Sequence, residues 1–414
     1  MANKSPDRAL ICVPHRRAEI LNHRRRLKMA RSAHAYVRGS TVKFYEWLES
    51  KAGKRLPQGP SIWICGDCHL GNLGPVADAK GRVTLALRDF DQTVIGNPGH
   101  DLIRLALSLA TAIRGSDLPG VTTALAIERM IEGYTESLVH PRSASRIAAG
   151  APAAVRQILD RAYRRKWRHL AEERIEDVSP EIPYGKNFWP LSSSEKKEIK
   201  RIFQAPDVRK LITSLKNRDD NDKIEVLDSA YWVKGCSSLG RLRMSVLVGI
   251  GKRKRRKKDG FCLIDIKEAV PAAAPRSRGA KLPADNAERV VQGARLLSPY
   301  LGQRMLPWKF LGKSVVLREL LPQDLKLEMD QLTRDEAIQA AHYLASVVGS
   351  AHASQMDTKS RKQWRAELYR HRLKNIDAPS WLWSSVVELV AHHETAYLEH
   401  CRQYAMDCVP PRSR

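Results

Sequence analysis

Two short apolar runs of strand type stand close together early in the chain, Ile62-Trp63-Ile64 and Val83-Thr84-Leu85-Ala86-Leu87. Each runs into a loop rich in Gly, Asp and Asn, a pattern that predicts a strand ending in a turn. Around them the period lengthens to that of a helix. Ala33, Tyr36, Val37, Phe44, Trp47 and Leu48 give one apolar face over Met29 to Leu48, interrupted near Arg38-Gly39. Leu102, Leu105, Leu109 and Ile113 form a stripe over Asp101 to Arg114, with Asp101 expected at its N-cap. A second helix over about Thr122 to Leu138 follows Pro119-Gly120. Residues 140–222 read as a mostly helical insert, with a basic helix over Pro152 to Arg174 and a capping box, Ser192-x-x-Glu195, opening another.

From Val226 the period returns to two. Tyr231 to Lys234, Arg241 to Ile250, Phe261 to Ile266 and Ser314 to Leu320 are expected strands, the first two joined by Gly235-Cys236-Ser237-Ser238-Leu239-Gly240. A helical pattern (Val290, Val291, Ala294, Leu297) begins near Glu288. Thr333-x-x-Glu336 should cap a helix reaching about Ser354, and residues 360–408 read as amphipathic helices rich in Trp. The chain thus divides into a basic, poorly ordered arm (1–28), a first core segment (29–139), the insert (140–222), a strand-rich segment (223–325) and a helical remainder (326–414).

Composition narrows the classes. No apolar run approaches the roughly 18–20 residues that span a bilayer, and Ala9 to Val13 before Pro14 is too short for a signal-peptide core. A soluble, cytoplasmic protein is expected. Seven scattered cysteines fit reduced thiols. The one close pair, Cys65-x-x-Cys68, lies in a loop rather than opening a helix, and no second pair completes a zinc site. His392-His393-Glu394 lacks the i, i+4 spacing of a zinc helix. Lys and Arg total 71 against 45 Asp and Glu, a net charge of +26, which makes a nucleic-acid-binding protein one functional class to weigh. Much of this charge is spread out. The dense run Lys252 to Lys258 joins two strands and reads as a solvated loop tip, and Arg164-Arg165-Lys166-Trp167-Arg168 as a solvated helix face anchored by its Trp.

The candidate chemistry sits in the two early loops. The first reads Cys65-Gly66-Asp67-Cys68-His69-Leu70-Gly71-Asn72 and the second Asp89-Phe90-Asp91-Gln92-Thr93-Val94-Ile95-Gly96-Asn97-Pro98-Gly99-His100-Asp101-Leu102. Carboxylates converging at the ends of adjacent strands repel unless a cation joins them. Magnesium, which takes oxygen ligands from one or two carboxylates and from phosphates, suits such a set.

These loops resemble the catalytic core of the aminoglycoside-phosphotransferase and choline-kinase branch of the protein-kinase-like superfamily. The resemblance implies that Asp67 is the catalytic base, that Asn72 and Asp89 are metal ligands, and that Asp101 ties the catalytic loop to the following helix. Asp91 stands where the relatives usually carry glycine and is a candidate third ligand. The order strand, Gly235–Gly240 loop, strand, strand, Lys267 is similar to the phosphate-gripping half of a kinase-like small lobe. By that resemblance Gly235, Ser237, Ser238 and Gly240 approach phosphates, Lys267 reaches the α- and β-phosphates, and Glu288 pairs with Lys267. Ser237 replaces a third glycine. Arg318 to Pro322 is similar to the last small-lobe strand and hinge, and His352 to the helix that precedes the catalytic loop, with a buried structural role expected for it.

The opening Lys28-Met29-x-x-Ser32-x-x-Ala35-Tyr36-x-Arg38-Gly39 is similar to that of a bacterial family known only as domain of unknown function 2252. Asp67 and Asp89 precede Gly235 and Lys267, the reverse of ordinary kinases, so the resemblance implies a circularly permuted, two-lobed α+β kinase-like fold with a helical insert. The expectation is an ATP- and Mg2+-dependent phosphotransferase acting on a hydroxyl of a small-molecule acceptor. A nucleotide-binding pseudokinase, an adenylyl transferase and the basic nucleic-acid-binding protein are the alternatives.

Overall fold

The structure is a computed structural model describing residues 13–51, 53–116, 118–141, 149–175, 181–215, 218–236, 238–251, 260–325, 332–370 and 379–404. Ser237, the basic run 252–258 and the end of the expected last helix, 405–408, therefore lie outside the described residues. The fold is α+β. Its first strands form two antiparallel ladders, β1 (Ile62–Ile64) with β4 (Val94–Gly96), and β2 (Leu73–Ala77) with β3 (Val83–Leu87). A six-stranded antiparallel sheet is built from β5 (Phe188–Trp189), β6 (Ile224–Trp232), β7 (Arg243–Ile250), β8 (Phe261–Glu268), β9 (Met305–Phe310) and β10 (Lys313–Leu320), in the order β5-β6-β7-β8-β10-β9.

Side chains of successive strand residues alternate between faces, and the sheet uses both. Val246, Val248, Ile264, Ile266 and Leu317 pack into one buried cluster with Ile199, Ile202, Val208 and Ile212 of the insert. The intervening Leu247, Leu263 and Leu320 join Trp167, Leu170 and Trp232 on the other face. The insert is thus the packing partner of the sheet on both sides and adds β5 to its edge. Its basic helix is two helices, Ala153–Arg164 and Trp167–Ile175, broken at Arg165-Lys166. Trp167 is the expected anchor, stacked on Phe261 with centroids 6.1 Å apart.

The amino-terminal segment departs from the expected loose arm. Residues Arg17–Ala30 form helix α1, followed by α2 (Ala33–Gly39) and α3 (Thr41–Glu49). Basic residues hide the helical period, but Leu21 is buried in the sheet cluster. Arg17 donates to Glu195 at 2.7 Å, and Arg24 lies 4.9 Å over the Trp189 ring. These charges are anchors, with their stems on apolar surface.

The helical part holds α4 (Pro98–Arg114), α5 (Val121–Val139), Asn286–Leu297, Arg334–Ala353, Thr358–Leu368 and Ser380–Tyr404. The capping boxes at Ser192 and Thr333 are present. The N-cap of α4 is Asn97 rather than Asp101: Pro98 occupies the first turn, and Asp101 points inward, fully buried. Helix Arg334–Ala353 crosses α5 closely, and a Cβ on Gly133 would overlap the His342 carbonyl. Just beyond that helix, Gln355 reaches β1: the Trp63 N–H donates to its Oε1 at 2.9 Å, and its Nε2 donates to the Trp63 carbonyl at 3.0 Å. No helix among the described residues is long and apolar enough to cross a membrane.

The close crossing gives a stability test. Gly133→Ala should force the two helices apart and cost about 1–3 kcal/mol, read as a lower urea midpoint. An unchanged midpoint would mean that the crossing relaxes without cost.

Candidate functional site

Strand β1 ends at Ile64 and the chain turns at Gly66, where φ is +75° and a Cβ would overlap the Gln92 carbonyl. Only glycine suits this position. The turn is held by Asp101, whose carboxylate accepts from the N–H groups of Cys65 (2.7 Å) and Gly66 (2.9 Å) and from His352 Nε2 (3.2 Å). With Nε2 donating, His352 Nδ1 accepts from the Tyr134 hydroxyl at 2.9 Å, and Trp364 Nε1 donates to that hydroxyl at 3.1 Å. His352 is the buried structural histidine expected from the sequence. Burial raises the Tyr134 phenol above its usual range, so it stays a donor.

Asp67 follows this turn with 13% of its side chain exposed. Its Oδ1 accepts from Arg104 Nε at 2.7 Å and its Oδ2 from the Thr41 hydroxyl at 2.9 Å. Arg104 is fully buried in the apolar stripe of α4 and also donates to the Val37 carbonyl at 2.6 Å. Asn72 donates from Nδ2 to the Asp67 carbonyl at 2.7 Å, which leaves its oxygen as an acceptor.

The second loop meets the sheet. Lys267, at the end of β8, places Nζ 3.1 Å from Asp89 Oδ1 and 2.8 Å from Asp91 Oδ1. Burial would push Asp89 up, but the Lys267 ammonium outweighs it and holds the carboxyl well below the usual range. Asp91 is pushed up, by burial and then by Asp89. Burial pulls Lys267 down, and the two carboxylates more than offset this, so its net shift is upward. Arg241 Nη1 stands 3.9 Å from Asp91, and Arg243 grips Asp265 through two hydrogen bonds of 2.9 and 2.5 Å. A cleft of about 490 Å³, counted with its mouth, is lined by Asp89, Asp91, Arg243, Asp265, Lys267 and Arg318 among others.

Gly235 and Gly240 adopt φ of +97° and +94° and make the expected turn. Its amides are partly spent internally: Leu239 N–H donates to the Cys236 carbonyl and Arg241 N–H to that of Ser238. Ser238 is buried, its hydroxyl donating to the Lys234 carbonyl. The expected Lys267–Glu288 pair is not formed. Glu288 sits in the first turn of Asn286–Leu297, exposed, while its neighbour Arg289 turns inward and donates to the carbonyls of Thr93, Asp91 and Val270. Lys267 has its charge balanced by Asp89 and Asp91 instead.

Sequence reasoning missed the arginines. Arg304, 1% exposed, donates to the carbonyls of Ala77 and Glu319 and pairs with Asp324 at 3.0 Å, bracing the connection after β10 against β2. Arg104 interrupts an otherwise apolar stretch three residues after Asp101, and that was the available signal for it. Cys65 and Cys68 are buried free thiols, and burial pushes both up, away from the thiolate that redox or metal chemistry needs.

The site thus belongs to an α+β protein in which a lysine from a six-stranded sheet meets two aspartates from a distant loop. The chain belongs to the bacterial family described as "Uncharacterized protein conserved in bacteria (DUF2252)", which matches it over residues 17–403. A search of curated proteins and a search of solved structures each returned no match.

Two outcomes follow. Asp101→Ala should strand two backbone donors and His352 in a dry interior, costing about 3–5 kcal/mol; a urea midpoint close to wild type would show that water replaces the carboxylate. Burial lowers His69 to about 4 and His393 to about 3. The unfolded chain takes up these protons near pH 6.5 and the folded chain does not. Stability should therefore be complete above pH 6.5 and fall by about 1.4 kcal/mol per unit per histidine as pH drops towards 4. Urea titrations at pH 6.5, 5.5 and 4.5 should show His69→Asn flattening this slope.

Proposed function

We propose that this protein is an ATP- and Mg2+-dependent phosphotransferase of permuted kinase-like architecture. One observation carries the reading: Lys267 meets Asp89 across 178 residues of chain. A lysine on the third strand of a glycine-turn sheet, facing an acidic loop, suits the gripping of a triphosphate next to a metal. The junction at Gln355 and Trp63 supports the permutation, because an unpermuted chain would run from that helix into β1 at this point.

The donor set fits magnesium. Asp89 and Asp91 are hard oxygen ligands that already share one positive charge, that of Lys267. Among the described residues no group of three His, Cys, Asp or Glu stands ready as a metal cage, so the remaining ligands would be the Asn72 oxygen and phosphate oxygens, as magnesium prefers. Bound magnesium supplies neutralisation of the phosphate charge. Asp67 orients the acceptor hydroxyl and takes its proton, with Arg104 fixing the carboxylate from behind. Gly235, Ser238 and Gly240 belong to the turn over the phosphates. Glu288 is left out of the nucleotide clamp, and Asp91 takes its place as the partner of Lys267. The same clamp serves adenylyl transfer, and labelled γ- and α-phosphate tell the two apart.

Lys267→Met removes the cation that meets the phosphates and should abolish most of the Mg2+-dependent thermal stabilisation by ATP. Equal stabilisation of mutant and wild type would overturn the nucleotide assignment.

A further inference from the structure

Four cations stand between the glycine turn and the Asp67 loop. Arg25 and Lys28 come from α1, Arg38 from α2 and Arg241 from the end of the glycine turn. Lys28 Nζ donates to the Gly235 carbonyl at 2.7 Å, which fixes α1 to that turn. Gly39, next to Arg38, packs against Cys236 in the turn, where a Cβ would stand 3.1 Å from its Sγ, and Arg25 lies one helical turn before Lys28 on α1. The Arg38 guanidinium lies across Gly71, where a Cβ would stand 2.9 Å from its Nη2 and 3.0 Å from His69 Cε1. His69 Nε2 is in turn 4.0 Å from Asp67 Oδ2. The cluster therefore runs from the glycine turn to the Asp67 loop.

Arg241 has Asp91 at 3.9 Å. Among the described residues Arg25, Lys28 and Arg38 have no carboxylate partner, and Arg38 Nε is buried with no hydrogen-bond partner. The nearby acids are already engaged: Asp89 and Asp91 with Lys267, Asp67 with Arg104, Asp265 with Arg243. Burial, and next to it the field of Arg241, lowers the half-buried Arg25. Like charges brought together in a partly dry site are costly unless an opposite charge joins them. The missing partner is an anion, and the planar fork of Arg38 suits oxyanion recognition. The nucleotide's own phosphates have a separate partner in Lys267, which stands with Asp89 and Asp91 rather than with His69 and Asp67.

We infer that the acceptor carries an anionic oxygen group, phosphate or carboxylate, held by Arg25, Lys28 and Arg38 while its hydroxyl faces Asp67. This rests on the phosphotransferase reading. It excludes cationic amino-sugar or choline-like acceptors, which such a cluster would repel.

The test uses the full chain in isothermal titrations with inorganic phosphate and with malonate, each with and without saturating Mg2+ and a non-hydrolysable ATP analogue. One of the anions should bind alongside the analogue, and the preferred one distinguishes a phosphomonoester from a carboxylate. Arg25→Gln and Arg38→Gln should each weaken the anion about tenfold or more and leave analogue binding unchanged. Arg38→Lys, which keeps the charge, should retain part of the affinity and controls for folding. The inference is overturned if neither anion binds alongside the analogue. It is also overturned if anion affinity ignores both arginine variants but is lost in Lys267→Met, because the anion then occupies the nucleotide's phosphate subsite. Failure of the wild-type chain to bind the analogue would remove the phosphotransferase reading itself, and with it the acceptor role, whatever the arginine variants do to phosphate.

Discussion

A carboxylate with no access to water has to be met by donors, and Asp101 is met by three. Two are backbone N–H groups of the turn that presents Asp67; the third is His352, at the end of a helix more than 200 residues away in sequence. Charge-assisted bonds of this kind are strong and directional. They fix the Asp67 turn to α4 on one side and to Arg334–Ala353 on the other. Tyr134 and Trp364 continue the chain of donors outward to α5 and Thr358–Leu368. The backbone turn that presents Asp67 is thus set by a network that never touches the Asp67 side chain. Arg104, one helical turn beyond Asp101, then holds the Asp67 carboxylate itself.

The second constraint is charge balance across the cleft. Strand register puts Arg318 opposite Asp265 and Arg243 opposite Lys267. A slip of β8 by one residue would turn Asp265 and Lys267 to the other face of the sheet, away from Arg318 and Arg243, so the ladder and the site specify one another. The cleft is rich in both signs. On the Asp67 side the balance is not closed among the described residues, where Arg25, Lys28 and Arg38 have no carboxylate partner. Helix α1 contributes two of these three cations. Its docking by Leu21, Arg17 and Arg24 therefore matters for the chemistry of the site as well as for covering the sheet.

Much of the local structure was legible in the sequence. The two loops, the strands β7, β8 and β10 with the end of β6, the helix beginning near Glu288 and both capping boxes could be read because period and capping act within a few residues, whereas β9 was not foreseen. The elements misread were those whose local signal is masked. Helix α1 is rich in arginine and shows little apolar period, and the insert helix breaks at Arg165-Lys166 without a Gly or Pro. The N-cap of α4 was misassigned because Asn97-Pro98 and Asp101 both carry start signals, and burial of Asp101 decides between them.

What the sequence determined by itself was therefore the set of parts: a glycine-aspartate loop, an acidic loop leading into a helix, a glycine turn between strands, and a lysine at the end of the next strand. Only the tertiary structure decided which acid meets Lys267. Glu288, 21 residues on, faces solvent, whereas Asp89 and Asp91 share its charge from the far side of the chain. Tertiary packing also decided that Asp67 is paired with Arg104, and that Arg25, Lys28 and Arg38 gather around the glycine turn. The reason is physical. A side chain's identity limits which bonds it can make, but the partner of a charge is set by burial and distance, and those arise only when segments remote in sequence pack together.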